Sequence, residues 1–172
     1  MSVILGIDPG SRLCGYGLIS AKGSNLEYIA SGVIKMQTTD FPARLQTIFS
    51  DISAILDEHA PDIVAIEEVF MGKNAASALK LGQARGAALV ACTCKGLAIA
   101  EYSTRKVKQA LVGKGQADKA QVQHMVKSVL GLANVPPEDA SDALAVAVCH
   151  ANSEQTLIKM AGTRHARRRI QP

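Results

Sequence analysis

Four acidic positions carry more chemistry than their surroundings explain. Asp8 closes the apolar run Val3-Ile4-Leu5-Gly6-Ile7 and is followed at once by Pro9-Gly10-Ser11. Glu67 and Glu68 interrupt a second apolar run over 63–70. Asp139 and Asp142 lie three apart on one face of a helix that starts at Pro136-Pro137. Each has a plain explanation on its own. Asp8 suits the cap of a Pro-Gly turn, Glu67 an edge strand, and the helical pair the positive end of a helix dipole. By alternation Glu67 sides with Val69, and Glu68 with Ile66 and Phe70, so spacing leaves the choice between them open. Gathered at one point, however, these carboxylates would repel one another, and divalent metal is the usual remedy. Oxygen ligands of this hard type select magnesium or manganese over zinc. Two such ions can hold a phosphodiester, activate water and stabilise the leaving oxygen.

The elements that must bring the acids together follow from the pattern. The first strand is apolar enough for the middle of a sheet, with Val3, Leu5 and Ile7 on one face and Ile4, Gly6 and Asp8 on the other. Gly6 leaves room beside Asp8 for another backbone or a ligand. Strands follow at 14–20 and 28–34, joined by short turns that predict an antiparallel meander. Gly15 and Gly17 mark a bulge or a place where something presses on the sheet. Thr39-Asp40-Phe41-Pro42 opens a helix whose stripe is Leu45, Ile48, Phe49, Ile52, Ile55 and Leu56. The 63–70 strand after this crossover is expected parallel to a member of the first sheet. Asn74 caps a helix over 75–91 rich in Ala and Gly, a surface for close approach of a helix of this chain or of a second copy. A strand at 98–102 and a helix from Ser103 to about Leu111 come next. A loop at 113–116, a helix carrying Val122 to Leu130 and the final helix to His150 complete the order. Past Ser153 the pattern fades. Residues 1–152 therefore read as one α/β domain and 153–172 as a basic, flexible tail.

At 172 residues, 48% hydrophobic and 20% charged, the chain fits a soluble domain with a real core. No apolar run is long enough for a membrane span, and no secretory signal precedes the first strand, so a cytoplasmic location is expected. Cys92 and Cys94 lack the second ligand pair of a zinc site and read, like Cys14 and Cys149, as reduced core residues. His124 and His150 have no metal-ligand spacing. The charge of +4 resides in Arg164, Arg167, Arg168 and Arg169; without them basic and acidic residues balance at 15 each. Arg105, Lys106, Lys108, Lys114 and Lys119 fall within fifteen residues whose sole acid is Asp118. Beside a site that handles a phosphodiester such a strip would bind phosphate.

Together, 5–11, Glu67 with Val69-Phe70-Met71, 79–86 and 139–145 resemble the RuvC family of crossover (Holliday) junction endodeoxyribonucleases, over about residues 2–151. The resemblance implies a ribonuclease H-like fold: a five-stranded mixed sheet, three antiparallel strands then two parallel, with helices on both faces. It implies Asp8, Glu67, Asp139 and Asp142 as catalytic, metal-binding acids, with Glu67 rather than Glu68 in the set. The cofactor implied is Mg2+, two per subunit, with Mn2+ able to substitute. The substrate implied is a four-way DNA junction cut by a homodimer in paired symmetric nicks, working with RuvA and RuvB in recombination and repair. Lys108 and Lys119 match lysines that the family uses at the junction, and Phe70 an aromatic that stacks on a base near the opened crossover. Lys73 and Arg85 are further DNA-contact candidates. Three competing readings remain: an ATP-binding enzyme of the actin and sugar-kinase type, a related nuclease acting on RNA, and a junction-binding module without catalysis. The first lacks room for a second phosphate loop and domain.

Overall fold

The run that ends in Asp8 forms the central strand of a five-stranded sheet. The computed structural model describes residues 1–69 and 74–168, with side chains through Ile158 and at Met160. Strands β1 (Ser2–Asp8), β2 (Leu13–Lys22) and β3 (Asn25–Lys35) form the expected antiparallel meander. Helix α1 (Phe41–His59) crosses over to β4 (Ile63–Glu67), and α2 (Ala75–Cys94) to β5 (Ala98–Tyr102). Both crossovers return the chain parallel, giving the order β3-β2-β1-β4-β5. Helices α3 (Thr104–Val112), α4 (Lys119–Val129) and α5 (Glu138–Arg168) complete the chain.

Alternation along β1 divides the core in two. Leu5 and Ile7, both fully buried, join Leu18, Val64 and Ile66 under α1 and α2. Ile4, also fully buried, joins Ile19 and Ala65 under α3, α4 and α5. Burying each of these Leu, Ile and Val side chains stabilises the fold by about 1.5–3 kcal/mol. Asp40 caps α1, its carboxylate accepting from the Ala43 amide at 3.1 Å, and Pro42 fits the first turn. The α1 stripe is narrower than its spacing predicts: Ile48, Ile52, Ile55 and Leu56 are buried, while Phe49 is 38% exposed. The Cys92–Cys94 expectation is half corrected too. Residues two apart on a helix point to different sides, so Cys92 is buried and Cys94 exposed.

Helix α5 lies close against the glycines of β1 and β2. A Cβ built at Gly6 would stand 2.0 Å from the Ala143 carbonyl oxygen, and one at Gly15 would stand 1.9 Å from that of Asp139. What occupies the space left by Gly6 is thus helix backbone, and the β-bulge lies instead between Leu18 and Ile19. Buried Ser141 pins the helix start, its hydroxyl donating to the Pro136 carbonyl at 3.0 Å and its amide to that of Pro137 at 2.8 Å. At the other end α5 does not stop near Ser153, where the expected tail begins, but continues to Arg168. Gln155 donates a hydrogen bond to the Gly23 carbonyl in the β2–β3 turn. A helix nucleated by its packed first half propagates through Gln, Leu, Lys and Met without needing a buried stripe.

Candidate active site

The three mutually parallel strands β1, β4 and β5 end at the same edge of the sheet. Ligand sites of α/β sheets form beyond such carboxyl ends. Ile7 pairs with Ile66, so the last residues of β1 and β4, Asp8 and Glu67, follow side by side on the α5 face. Glu67 in turn pairs with Tyr102, whose carbonyl accepts from the Glu68 amide at 2.9 Å.

A cavity of about 280 Å³ opens here, lined by Asp8, Glu67, Thr104, Lys108, Lys119 and Asp142 among others. Asp139, one turn earlier than Asp142, is absent from the lining, but its charge acts on Asp8. Glu68 does not line the cavity. Burial, then repulsion from Glu67, Asp142 and Asp139, pushes the Asp8 carboxyl up to about 8, against the pull of the Lys119 ammonium. Asp142 is raised to about 6, first by burial, with Lys119 opposing and Glu67 adding to the shift. Among the described residues no three His, Cys, Asp or Glu side chains converge tightly enough to grip an ion as they stand. The donor set nonetheless suits a divalent cation. It is all oxygen, partly buried and self-repelling, which a hard cation would relieve.

Lys119 is placed by the start of α4. Asp118 caps that helix, accepting from the Gln121 amide at 2.8 Å, while the Gln121 side chain accepts from the Asp118 amide at 3.1 Å. The ammonium of Lys119 pairs with Glu138 and lies 4.0 Å from Asp142. The hydrogen bond to Glu138 raises the Lys119 pKa, so this side chain is charged.

Arg85, a sequence candidate for DNA contact, is only 18% exposed. Its guanidinium pairs with Glu101 and its Nε donates to the Glu67 carbonyl at 3.3 Å, bracing the ends of β4 and β5. Phe70 and Lys73 lie outside the described residues. A groove lined by Thr104, Arg105, Lys108, Lys114 and Gln121 shares Thr104 and Lys108 with the acidic cavity, so the basic strip begins at the site itself. Sequence reasoning missed Thr104 and Glu138. For Thr104 the signal was present: a hydroxyl two residues past a strand parallel to β4 belongs to the same carboxyl edge. His150 is buried against Tyr102, whose hydroxyl meets its Nδ1 at 2.8 Å, and His124 is exposed.

A family model, Crossover junction endodeoxyribonuclease RuvC, matches residues 4–150. The chain is 57% identical over 169 residues to the protein of that name from Photobacterium profundum, covering 98% of both. It is 58% identical over 173 residues to that of Teredinibacter turnerae, again covering 98% of both. The fold is similar to that of T. thermophilus RuvC in complex with Holliday junction substrate. The TM-score is 0.86 at 35% identity, covering 91% of this chain and 96% of that one.

Proposed function

Because this chain belongs to the family of crossover junction endodeoxyribonuclease RuvC, we propose that it resolves four-way DNA junctions by paired symmetric nicks, in homologous recombination and DNA repair. The observation that carries this reading is the convergence of Asp8, Glu67, Asp142 and Lys119 on one cavity at the carboxyl edge of the sheet. Asp8, Glu67, Asp139 and Asp142 are the acids that would hold Mg2+, two ions per subunit, with Mn2+ able to substitute. Bound there, the ions would supply a water of lowered pKa, a counter-charge for the scissile phosphate and stabilisation of the leaving oxygen. The chain's own part is to set the acids on rigid elements and present cations to the substrate. Lys119 and Lys108 meet phosphates near the cut, and Arg105 and Lys114 carry the track onward along the groove. Hydrolysis of this kind leaves 5′-phosphate and 3′-hydroxyl ends.

Paired cutting requires two sites, and we assign the homodimer contact to the outer face of α2. Leu79 and Val90 are 70% and 51% exposed there, and a Cβ added at Gly82 or Gly86 meets nothing within 4 Å, so a second helix has close access. RuvA and RuvB are the partners that supply and remodel the junction. Among the described residues no helix is long and apolar enough to cross a membrane.

The reading is tested by incubating a synthetic four-way junction, and a linear duplex of the same sequence, with Mg2+, with Mn2+ or with EDTA. Metal-dependent nicks confined to the junction are expected; junction binding without cleavage in either metal would favour the silent module. Lys119→Ala should weaken junction binding and lower the slope of log K against log salt by about 1, the loss of one phosphate contact. An unchanged slope would remove Lys119 from the contact surface.

The acids also predict a pH dependence. Without divalent cation, Asp8 binds its proton more tightly folded, at about 8, than unfolded, near 3.8. Its stabilising contribution is therefore complete below 3.8 and is lost as pH rises through 8. The melting temperature in EDTA should fall across that window, and Mg2+ should restore it at the alkaline end. A melting temperature indifferent to both would contradict the repulsion between the acids.

A further inference from the structure

Thr104 is the first residue of α3, two residues past the end of β5. Its hydroxyl donates a hydrogen bond to Oε1 of Glu67, and both side chains line the acidic cavity. Two features fix the hydroxyl there. Ser103 caps α3, accepting from the Lys106 amide at 3.4 Å, so the chain leaves β5 in one defined turn. The pairing of Glu67 with Tyr102 then sets β4 and β5 in register, which brings Thr104 to the end of β4. On the other side, Arg85 holds the Glu67 carbonyl. The main chain and one carboxylate oxygen of Glu67 are thus both tied, while a carboxylate's remaining lone pairs stay available to a cation.

We propose that Thr104 is a positioning residue that orients the Glu67 carboxylate for divalent cation, and so sets the affinity of the site for metal. This rests on the metal-binding reading above. A donor of this type orients a ligating oxygen without competing for the ion, and losing such a partner typically costs about 10- to 100-fold in metal affinity. The hydroxyl is the only part of Thr104 that the proposal needs, so valine, matched in shape, isolates it and serine should supply it again.

The test is a titration of the whole protein with Mn2+, read as the rise in melting temperature and as heat of binding, for wild type, Thr104→Val, Thr104→Ser and Asp8→Asn. For Thr104→Val, binding weakened about 10- to 100-fold is expected, with serine restored to near wild type. If Thr104→Val binds Mn2+ as wild type does, while Asp8→Asn does not, the metal reading stands and the role of Thr104 is overturned. If Thr104→Val only melts lower without metal, its affinity unchanged, the contact is structural and the proposal again fails. If wild type itself takes up no Mn2+, the metal reading falls and this inference with it.

Discussion

Asp8→Asn should abolish junction cleavage, by about three orders of magnitude or more, while leaving junction binding nearly intact and making the metal-free fold more stable at alkaline pH. The three effects have one origin. Asp8 ends the central strand, where burial and three neighbouring acids oppose its charge. An amide keeps the shape, removes the repulsion and cannot supply the negative ligand that the proposed cation site needs. A metal-assisted displacement deprived of its central ligand loses several kcal/mol of transition-state stabilisation, and each 1.36 kcal/mol is tenfold in rate. The cations proposed to meet phosphate, Lys108 and Lys119 at the cavity and those of the groove beyond, keep their side chains in this variant. Rate, junction affinity in EDTA and melting temperature at pH 8 check the three parts. Equal loss of binding and cleavage would mean that Asp8 serves the fold alone.

Gly6→Ala should destabilise the fold strongly, because the added methyl meets helix backbone. Its Cβ would stand 2.0 Å from the Ala143 carbonyl oxygen, 2.9 Å from the Ala147 amide nitrogen and 3.0 Å from the Ala147 Cβ. Two of these three are backbone atoms of a buried helix, so no side chain can turn away. Helix α5 has to lift from the sheet, at a cost of about 1–3 kcal/mol or more. The helix carries Asp139 and Asp142, so the same movement draws both away from Asp8. Cleavage should therefore fall further than the unfolded fraction explains. Urea denaturation, and cleavage assayed where the variant is still folded, separate the two effects. A variant equal to wild type in both would contradict the close seating of α5 on β1.

Much of this arrangement is legible in the amino-acid sequence. The run 3–7 announces a central strand because it is apolar on both faces, and period-two alternation assigns Ile4, Gly6 and Asp8 to one side. Short turns give the meander, and the helix between two apolar runs gives the parallel crossover. Local pattern is silent where tertiary contact decides. Glu67 and Glu68 are equivalent by spacing, and the end of β4 at Glu67, beside Asp8, distinguishes them. Phe49 fits the apolar stripe of α1 yet lies at its solvent margin. Arg85 reads as a surface cation, but the neighbouring strand ends supply a carbonyl and Glu101 for it. The extension of α5 past Ser153 buries no apolar stripe: Leu157, Ile158 and Met160 stay exposed, and this short cluster gives periodicity little to detect.

If the acids at this edge hold the metal that assists hydrolysis of a four-way junction, the cleavage products carry the signature. A labelled junction is incubated with wild type or Asp8→Asn, in Mg2+ or EDTA, and the products are treated with DNA ligase. Wild type in Mg2+ should give nicks on two opposite strands that ligase reseals, as 5′-phosphate and 3′-hydroxyl ends require, and the other three reactions should give none. Nicks that persist in EDTA or with Asp8→Asn, or ends that ligase does not join, would rule out metal-dependent hydrolysis through Asp8.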